Sequence, residues 1–360
     1  MKLHVITSLW PSRANPISGI FVAEHVSALR DQGHEVWVTV VSPKKSEWLE
    51  IDGVTPHYVR TLHLPVRFHR LHRPINTKLA ARVAKWTLPK PDVDALIVHN
   101  QVPLGFCVPW WQSKTLPTAV IVHGDNPPLN DPDNAAWMRQ HLPSIPEHVK
   151  VLPVGKTVVP FLDNLGVRHH AVLGNGTKYA EKAPGSNTPK QVVSIANMHK
   201  GKALDVLIDA FGLLDASWRL RIVGDGPERR ALEEQVAALG IGERVEFLGR
   251  LDREATLAVL DGADLFALAS TREPFGVVYL EAAMRGIPPV GCFGTGAEEI
   301  ISDGVTGRLV PKRDPEALAA ALEDMWGKRD ALGDAAREDA LGRTWHHYNE
   351  QLLAILGFSS

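Results

Sequence analysis

The chain has 360 residues, of which 44% are hydrophobic and 22% charged, which is the composition of an ordinary globular protein. No apolar run reaches the ~18–20 residues that a membrane-spanning helix needs, and the only two cysteines, Cys107 and Cys292, lie far apart in the sequence. These features argue against a membrane span and a disulfide scaffold and favour a soluble protein of the cytoplasm. The length predicts about two domains.

Charge is unevenly distributed along the chain. Residues 1–180 hold 19 Lys and Arg against 13 Asp and Glu, whereas residues 181–360 hold 20 against 28. Most of the basic excess falls in Arg60–Lys90, because no acidic residue occurs between Asp52 and Asp92. Two interpretations of this segment stay open: a solvated basic face, or a patch that meets anionic lipid headgroups or a phosphorylated acceptor.

Strand-like and helix-like segments alternate through the first half of the chain. The opening "LHVITSL" predicts a buried strand rather than a signal peptide, and the periodicity of Phe21–Gln32 predicts a helix that Gly33 closes. The apolar runs "EVWVTVV", "ALIVH" and "TAVIVH" predict the next strands. Alternation of this kind indicates a parallel sheet with helical connections.

The same alternation returns after a polar segment, Ala180–Lys190, whose two prolines and lack of apolar periodicity predict an interdomain linker. Beyond it, "QVVSIAN" predicts a strand, Leu204–Leu214 a helix and "LRIVG" another strand. A helix is expected from Pro227 to Gly240, followed by the strands "RVEFLG" and "LFALAS". The fold class is therefore α/β, with two doubly wound domains of about 150–180 residues each.

The segment "STREPFGVVYLEAAMRGIPPV" places two glutamates eight positions apart. Glu273 follows the carboxyl end of a predicted strand, where parallel sheets bind their ligands, and Pro274 favours a turn there. Gly276 allows close approach of backbone to a ligand, and the N–H groups that open the next helix suit a phosphate. Glu281 lies in the second helical turn and can accept two hydroxyl hydrogen bonds. The alternative is a capping glutamate followed by a solvated one.

The motif "EPFGVVYLEAAMRGIPPV" resembles the E-x7-E signature of retaining nucleotide-sugar glycosyltransferases of family 4, which have the GT-B fold. Similar segments follow the family's order along nearly the whole chain: "NPISGIFVAEHVSALRDQGHEV", "VIVHG", "VLGNGTK", the run from "LRIVGDGPERR" to "LFALAS", and "TGAEEIISDGVTGRLVPKRDPEALAAAL". The resemblance implies two Rossmann-like domains facing a central cleft. The acceptor domain is expected at 1–180, the donor domain at 181–340, and at 341–360 a terminal helix that returns to the first domain.

The resemblance also implies catalytic residues. Lys202, with Lys200 as the alternative, matches the lysine that neutralises the leaving diphosphate, and Glu273 matches the residue that holds the sugar hydroxyls. His123 matches the histidine of the family's HGxD segment, near the transferred sugar. The aspartate of that segment falls at Asn126, and Asp125 lies one position earlier; either residue can serve, and Asp125 is taken as the catalytic candidate.

The remaining predicted contacts concern the donor. Gly19 matches a glycine loop that approaches the diphosphate, and Asn197 stands where the family usually has an arginine, which removes one positive charge. Glu281 is expected to bind the ribose. The backbone around the E-x7-E turn is expected to face the phosphates, and the backbone after the strand "RVEFLG" to face the base; these residues are Pro274, Phe275, Gly276, Val277, Gly249, Arg250 and Leu251.

Other motifs favour this interpretation less. Asp92-Val93-Asp94 is a D-x-D pattern that holds Mn²⁺ or Mg²⁺ in other sugar transferases, but a solvated turn is the preferred interpretation, and the resemblance implies transfer without a metal or cofactor. The run "VGDGPER" begins like a dinucleotide-binding fingerprint but has Arg229 at the last glycine position.

The expected activity is transfer from a UDP- or GDP-sugar to a polysaccharide, glycolipid or lipid-linked acceptor, at the inner membrane face. The alternatives are a nucleotide-sugar 2-epimerase and an inactive sugar-nucleotide binding protein.

Overall fold

The computed structural model describes residues 1–42, 46–60, 92–99, 115–124, 145–185 and 190–358. The chain divides into two compact units: Met1–Gly176 together with Trp345–Ser360, and Thr177–Thr344. The sequence-based domain bounds were 1–180, 181–340 and 341–360. Among the described residues, no helix combines the length and the apolar character that crossing a bilayer requires. Of the predicted features, Asp125 and residues 61–90 of the basic segment lie outside the described residues.

The first unit is built on a parallel sheet. Its strands are β1 (Lys2–Thr7), β2 (Glu35–Ser42), β3 (His57–Arg60), β4 (Ala95–His99), β5 (Thr118–Val122) and β6 (Val149–Pro153), in the spatial order β3-β2-β1-β4-β5-β6. Every residue of β4 and β5 is buried, as expected for central parallel strands covered on both faces. The parts of this unit that the structure describes contain three α-helices: α1 (Ile20–Asp31), α2 (Val159–Asn164) and α9 (Trp345–Ile355).

The second unit repeats the same topology with its own six strands. They are β7 (Gln191–Ile195), β8 (Arg219–Val223), β9 (Val245–Gly249), β10 (Leu265–Ala267), β11 (Pro289–Cys292) and β12 (Arg308–Val310), in the order β12-β11-β10-β7-β8-β9. Its helices are α3 (Leu204–Leu213), α4 (Arg229–Ala238), α5 (Arg253–Asp261), α6 (Val277–Met284), α7 (Pro315–Trp326) and α8 (Arg329–Leu341). Two all-parallel, doubly wound sheets confirm the predicted fold class.

Local sequence explains where the helices of the second unit begin and end. The Asp252 side chain accepts a hydrogen bond from the Ala255 N–H at the start of α5, and Asp314 caps α7 in the same way ahead of Pro315. After α4, Gly240 takes up a left-handed conformation with φ 67°, which ends the helix as predicted. Asp252 and Asp314 thus fix where the loops after β9 and β12 end.

The predicted linker is held against the second unit at its beginning. The Ala183 N–H donates to the Arg285 carbonyl at 2.8 Å, and Lys182 forms an ion pair with Asp334. Thr177 N–H donates to the Arg343 carbonyl at 3.1 Å. The change from one unit to the other therefore falls at Gly176, a few residues before the polar composition begins.

Candidate functional site

The strand order of the second sheet has its switch point between β7 and β10. These strands are neighbours, with Val192 opposite Leu265, and the chain leaves them toward opposite edges of the sheet. Ligands of doubly wound sheets bind outside the carboxyl ends of the strands at such a point. The loops that follow the two strands, 196–203 and 268–276, contain seven of the predicted site residues, among them Lys202 and Glu273.

Lys202 and Glu273 are brought together from these two loops. Lys202 Nζ lies 2.5 Å from Glu273 Oε2, and the two side chains are 27% and 10% exposed. The Gly201 carbonyl accepts hydrogen bonds from Ser270 Oγ at 3.1 Å and from the Thr271 N–H at 2.9 Å. The loops are thus clamped through one carbonyl group, which holds the cation and the carboxylate in place without a ligand. The residues Ala269-Ser270-Thr271 carry no sequence signal of these hydrogen bonds to the Gly201 carbonyl.

The turn between Glu273 and α6 depends on glycine. Gly276 has φ 85°, and a Cβ added to it would lie 2.4 Å from Cδ2 of Tyr279. Tyr279 cannot move away easily, since its hydroxyl donates to the buried Leu268 carbonyl at 2.8 Å. This left-handed turn opens α6, whose first N–H groups lack an acceptor within the helix. The glycine predicted here for close backbone approach is therefore also required by the packing of its own helix.

A third loop, after β11, supports the same turn. The Gly296 N–H donates to the Glu273 carbonyl at 2.6 Å. A Cβ on Gly296 would lie 2.4 Å from the Phe275 backbone, so that the two segments touch backbone to backbone. Pro274 and Phe275 are held from both sides in this way, and Glu273 sits at the junction of three strand-end loops.

Glu281 is buried and already has a charged partner. It is 4% exposed, and its Oε1 lies 2.7 Å from Nη2 of Arg253, the first residue of α5. A carboxylate buried to this extent needs such a partner, because an unpaired buried charge is costly. The predicted ribose contact would use the remaining acceptor capacity of the carboxylate. Arg253 was not singled out from the sequence, since an arginine at a helix start is usually a surface residue.

The "VGDG" run has a structural role in the second unit. A Cβ on Gly224 would lie 2.0 Å from the Ala196 carbonyl oxygen, and one on Gly226 would lie 2.6 Å from that of Met198. The Met198 N–H donates to Asp225 and the Glu228 N–H to Met198, both at 3.0 Å. These glycines let the loops after β7 and β8 pack closely. This packing accounts for the glycine-rich run, and no bound dinucleotide is needed to explain it.

The other residues of the second unit predicted to bind the sugar nucleotide lie in the loops after β7 and β9. Asn197 and Lys200 are exposed on the loop after β7. Gly249, with φ 69°, ends β9, and its carbonyl accepts from the Gly224 N–H at 2.8 Å. Arg250 is exposed and Leu251 half-buried between β9 and α5. Their assignment to the diphosphate and the base stays a prediction.

Gly19 occupies a crowded turn of the first unit. It precedes α1 with φ 73°, and a Cβ there would lie 2.5 Å from the Leu9 carbonyl carbon and 2.6 Å from the Trp10 nitrogen. The loop after β1 and the start of α1 therefore pack through this glycine. That packing accounts for the residue by itself, and the predicted contact with a diphosphate stays a prediction.

His123 follows β5 and belongs to a group of three histidines in the first unit. Its Nε2 lies 2.9 Å from Nδ1 of His99, and the Phe21 ring lies beside it, with centroids 4.7 Å apart and ring planes tilted by 52°. Burial lowers the pKa of His123 to about 3, so that the ring is neutral at physiological pH. Two strands that end in histidine, "ALIVH" and "VIVH", are a signal from which this pair could have been found. Asp125, the fourth catalytic candidate, lies outside the described residues.

The D-x-D pattern supports the sheet. The Asp94 side chain accepts a hydrogen bond from the Lys2 N–H at 2.8 Å, where β1 begins. Among the described parts of the chain, no group of three or more His, Cys, Asp or Glu side chains is arranged to hold a metal ion. Transfer without a metal stays a prediction.

Comparison with known proteins gives consistent results. Residues 177–339 match the family model "Glycosyl transferases group 1". The chain is 26% identical to N-acetyl-alpha-D-glucosaminyl L-malate synthase of Bacillus anthracis, over 94% of this chain and 92% of that protein. It is 34% identical to the putative colanic acid biosynthesis glycosyltransferase WcaL of Salmonella typhimurium, over 41% of this chain and 38% of that protein.

Among solved structures, HepE of Anabaena, crystallised with UDP and glucose, covers 99% of this chain and is itself covered to 99%. The TM-score is 0.77 and the sequence identity 20%. At this identity the likeness concerns the fold, and it confirms the GT-B class expected from the sequence.

Proposed function

We propose that the chain is a retaining glycosyltransferase using a nucleoside-diphosphate sugar, because residues 177–339 match the family model of the glycosyl transferases group 1. The donor is a UDP- or GDP-sugar, and the acceptor group is a hydroxyl. The observation that carries this proposal is the Lys202–Glu273 pair, held 2.5 Å apart at the switch point of the second sheet.

The two residues of the pair suit the two parts of a sugar nucleotide: Lys202 suits the diphosphate leaving group, and Glu273 suits the transferred sugar. Negative charge grows on the diphosphate as the sugar leaves, and a preorganised cation there lowers the barrier. Without donor, the Glu273 carboxylate balances Lys202 at low exposure. With donor bound, the Lys202 ammonium would turn to the diphosphate, and Glu273 would accept hydrogen bonds from the sugar hydroxyls. The N–H groups opening α6 would add to the phosphate contacts.

Glu281 and Arg253 would form the ribose end of the donor site. Arg253 Nη2 lies 2.7 Å from Glu281 Oε1, and this ion pair orients the buried carboxylate. An ionised carboxylate accepts hydrogen bonds from the two vicinal ribose hydroxyls. The exposed Asn197 and Lys200 would lie at the open side of the diphosphate, where Lys200 supplies charge that Asn197 lacks.

The experiment compares transfer by the wild type with Glu273→Gln and Lys202→Ala. The donor is first chosen by the rise in melting temperature with UDP-, GDP- and ADP-sugars, since a ligand that binds only the native state stabilises it. We expect both variants to lose at least ~10²-fold in kcat, the order found when one preorganised electrostatic contact is removed. Glu234→Gln, in the exposed Arg230–Glu234 pair, is the matched control and should keep full activity.

The products separate the proposal from its alternatives. An α-linked donor that yields an α-linked product supports retention, and an inverted product contradicts it. A donor epimerised without acceptor would identify a 2-epimerase. A melting-temperature rise with no turnover for any acceptor class would identify an inactive binding protein.

For the acceptor, we propose a polysaccharide, glycolipid or lipid-linked precursor. Support comes from the relation to WcaL and from the eight Lys and Arg residues of Arg60–Lys90, a segment with no acidic residue. Flotation with vesicles tests the membrane part. Recovery should be higher with anionic than with neutral lipid and should fall with salt, since surface attraction is screened. Equal, salt-insensitive recovery would contradict it.

A further inference from the structure

Three histidine rings of the first unit are joined in a line through their ring nitrogens. His123 Nε2 lies 2.9 Å from His99 Nδ1, and His99 Nε2 lies 3.0 Å from His25 Nδ1. His99 lies opposite Ile121 in the parallel sheet, and His123 is two residues beyond Ile121. Because side chains alternate along a strand, His99 and His123 lie on the same face of the sheet. His25 joins the line from α1.

The orientation of the rings gives both contacts the geometry of hydrogen bonds. The ring centroids of His123 and His99 are 5.2 Å apart and their planes differ by 13°, and those of His99 and His25 are 5.1 Å apart with planes that differ by 68°. With the nitrogens so close, the centroids can be this far apart only if each ring points a nitrogen at the other ring. An N–H group lies along that direction, so each hydrogen bond is close to straight.

Burial keeps the rings of this line neutral. His25 and His99 are 0% exposed, and a charged imidazolium in such a place is far more costly than the neutral ring. Burial accordingly lowers the pKa of all three rings below its ordinary value. A neutral imidazole has one N–H and one bare nitrogen. His99 has both nitrogens in the line, so it donates to one neighbour and accepts from the other.

The tautomers of the three rings are therefore tied to one another. If His123 donates from Nε2, then His99 also donates from Nε2, and His25 carries its proton on Nε2. If His25 instead donates from Nδ1, then His99 and His123 carry their protons on Nδ1 as well. Every other combination of neutral rings makes two acceptors or two donors face each other in the core, where an unmade hydrogen bond is costly.

The buried end of the line blocks a change from one arrangement to the other. The change requires His25 Nε2 to gain or lose a proton. That nitrogen is buried and has no hydrogen-bond partner among the residues that the structure describes. His123, at the other end, is partly exposed. A proton that arrives at His123 therefore finds no acceptor beyond His25 in the described part of the unit, and the line keeps one arrangement.

We infer that His99 and His25 are positioning residues, which hold His123 in a single tautomer and leave its Nδ1 with one fixed hydrogen-bonding role. If His123 touches the transferred sugar, which rests on the proposed function, this fixed role limits the group that it can recognise. A hydroxyl group can bond to Nδ1 in either role, whereas an ionised carboxylate can only accept from an Nδ1–H.

The direct test is the tautomer of each ring, read from long-range ¹H–¹⁵N correlation spectra of protein labelled with ¹⁵N and ¹³C. Couplings between nitrogens across the two hydrogen bonds are measured on the same sample. We expect the same tautomer in His123, His99 and His25, and a coupling from His99 to each neighbour. A mixture of tautomers at His123, or different tautomers in neighbouring rings, would overturn the inference. This test uses the unaltered protein.

The positioning role is tested with His99→Leu, which removes the ring between His123 and His25. The minor tautomer of His123 should rise on the order of tenfold, because no neighbouring nitrogen then disfavours it. His4→Gln is the matched control. His4 is also fully buried in this sheet, but its Nε2 lies 2.8 Å from Thr39 Oγ1 and it is not one of the three joined rings, so the His123 signals should not change.

An unchanged His123 spectrum in a folded His99→Leu protein would reject His99 as a positioning residue. If that variant does not fold, His25→Leu, which leaves His99 Nε2 without its partner, is read in the same way. None of these measurements uses a sugar nucleotide. Failure of the proposed donor chemistry would therefore leave the tautomer result standing, and the reverse also holds.

Discussion

At the scale of single residues, the candidate donor site depends on side chains and backbone groups that are held in place by hydrogen bonds and ion pairs. Glu273 is fixed by Lys202 on its side chain and by the Gly296 N–H on its carbonyl. Preorganisation of this kind stabilises developing charge without a reorganisation cost during the reaction. The backbone that makes it possible is the left-handed turn at Gly276.

Gly276→Ala should destabilise the second unit more than a left-handed conformation alone explains. The added Cβ would meet Tyr279 at 2.4 Å as well as adopt φ 85°. Gly240→Ala is the matched control, since it has φ 67° but nothing within 4 Å. We expect about 1–2 kcal/mol of lost stability for Gly240→Ala and ~1–3 kcal/mol more for Gly276→Ala, measured by chemical denaturation. Equal losses would show that the Tyr279 contact does not constrain the turn.

At the scale of elements, the last helix belongs to the first unit although the chain reaches it through the second. Trp345 opens α9 at 1% exposure and stacks on His25, with ring centroids 5.2 Å apart. Its Nε1 donates to Glu24 Oε2 at 3.4 Å, so that α9 and α1 are joined by packing and by hydrogen bonds. A Cβ on Gly176 would clash with the same ring at 2.7 Å, which shows how closely the chain passes.

Trp345→Ala should therefore destabilise the first unit by about 3–5 kcal/mol, the usual cost of emptying the space of a buried tryptophan. Hydrogen exchange would show the loss in α1 and β4. Gln351→Ala, at an exposed position of the same helix, should change stability by no more than about 0.5 kcal/mol. A loss of protection confined to α9 itself would indicate that the helix is not part of the core of the first unit.

At the scale of the whole molecule, the two units differ in their histidines. Residues 177–344 contain one histidine, His199, which is exposed, whereas the first unit buries His4, His25 and His99. Burial lowers the pKa of His4 to about 4 and that of His25 to about 3, from an ordinary value of 6.5. A protonation difference between folded and unfolded states makes stability depend on pH.

The first unit should lose stability in mild acid before the second does. Below pH 6.5 the unfolded chain binds protons on these histidines and the folded unit does not, so stability is complete above that pH and falls as the pH drops toward about 4. The slope is at most about 1.4 kcal/mol per pH unit for each histidine, and the linked rings titrate together.

Hydrogen exchange at pH 7.5 and at pH 5, resolved along the chain and corrected for intrinsic rates, measures this difference. His4, whose Nε2 lies 2.8 Å from Thr39 Oγ1, is one of the histidines responsible. His4→Gln should therefore lower the slope of stability with pH by the contribution of one histidine. Equal acid sensitivity of the two units would contradict the linkage.

The sequence by itself determined the alternation of strands and helices, the α/β class and the positions of Glu273, Gly276 and Glu281 relative to their strand and helix. It could do so because apolar periodicity, proline and glycine act locally, over a few residues. Ordered similarity to a known family extended the prediction to Lys202 and His123. The same local signals also indicated where α1, α3 and α4 begin and end, to within two residues.

Only the tertiary structure decided which of these groups meet. Lys202 and Glu273 are 71 residues apart, and Arg253 pairs with Glu281 across two elements. The hydrogen-bonded histidines His123, His99 and His25 come from the end of β5, from β4 and from α1. Contacts of this kind depend on strand order and helix return, which bring distant segments together, and no local pattern of residues records them.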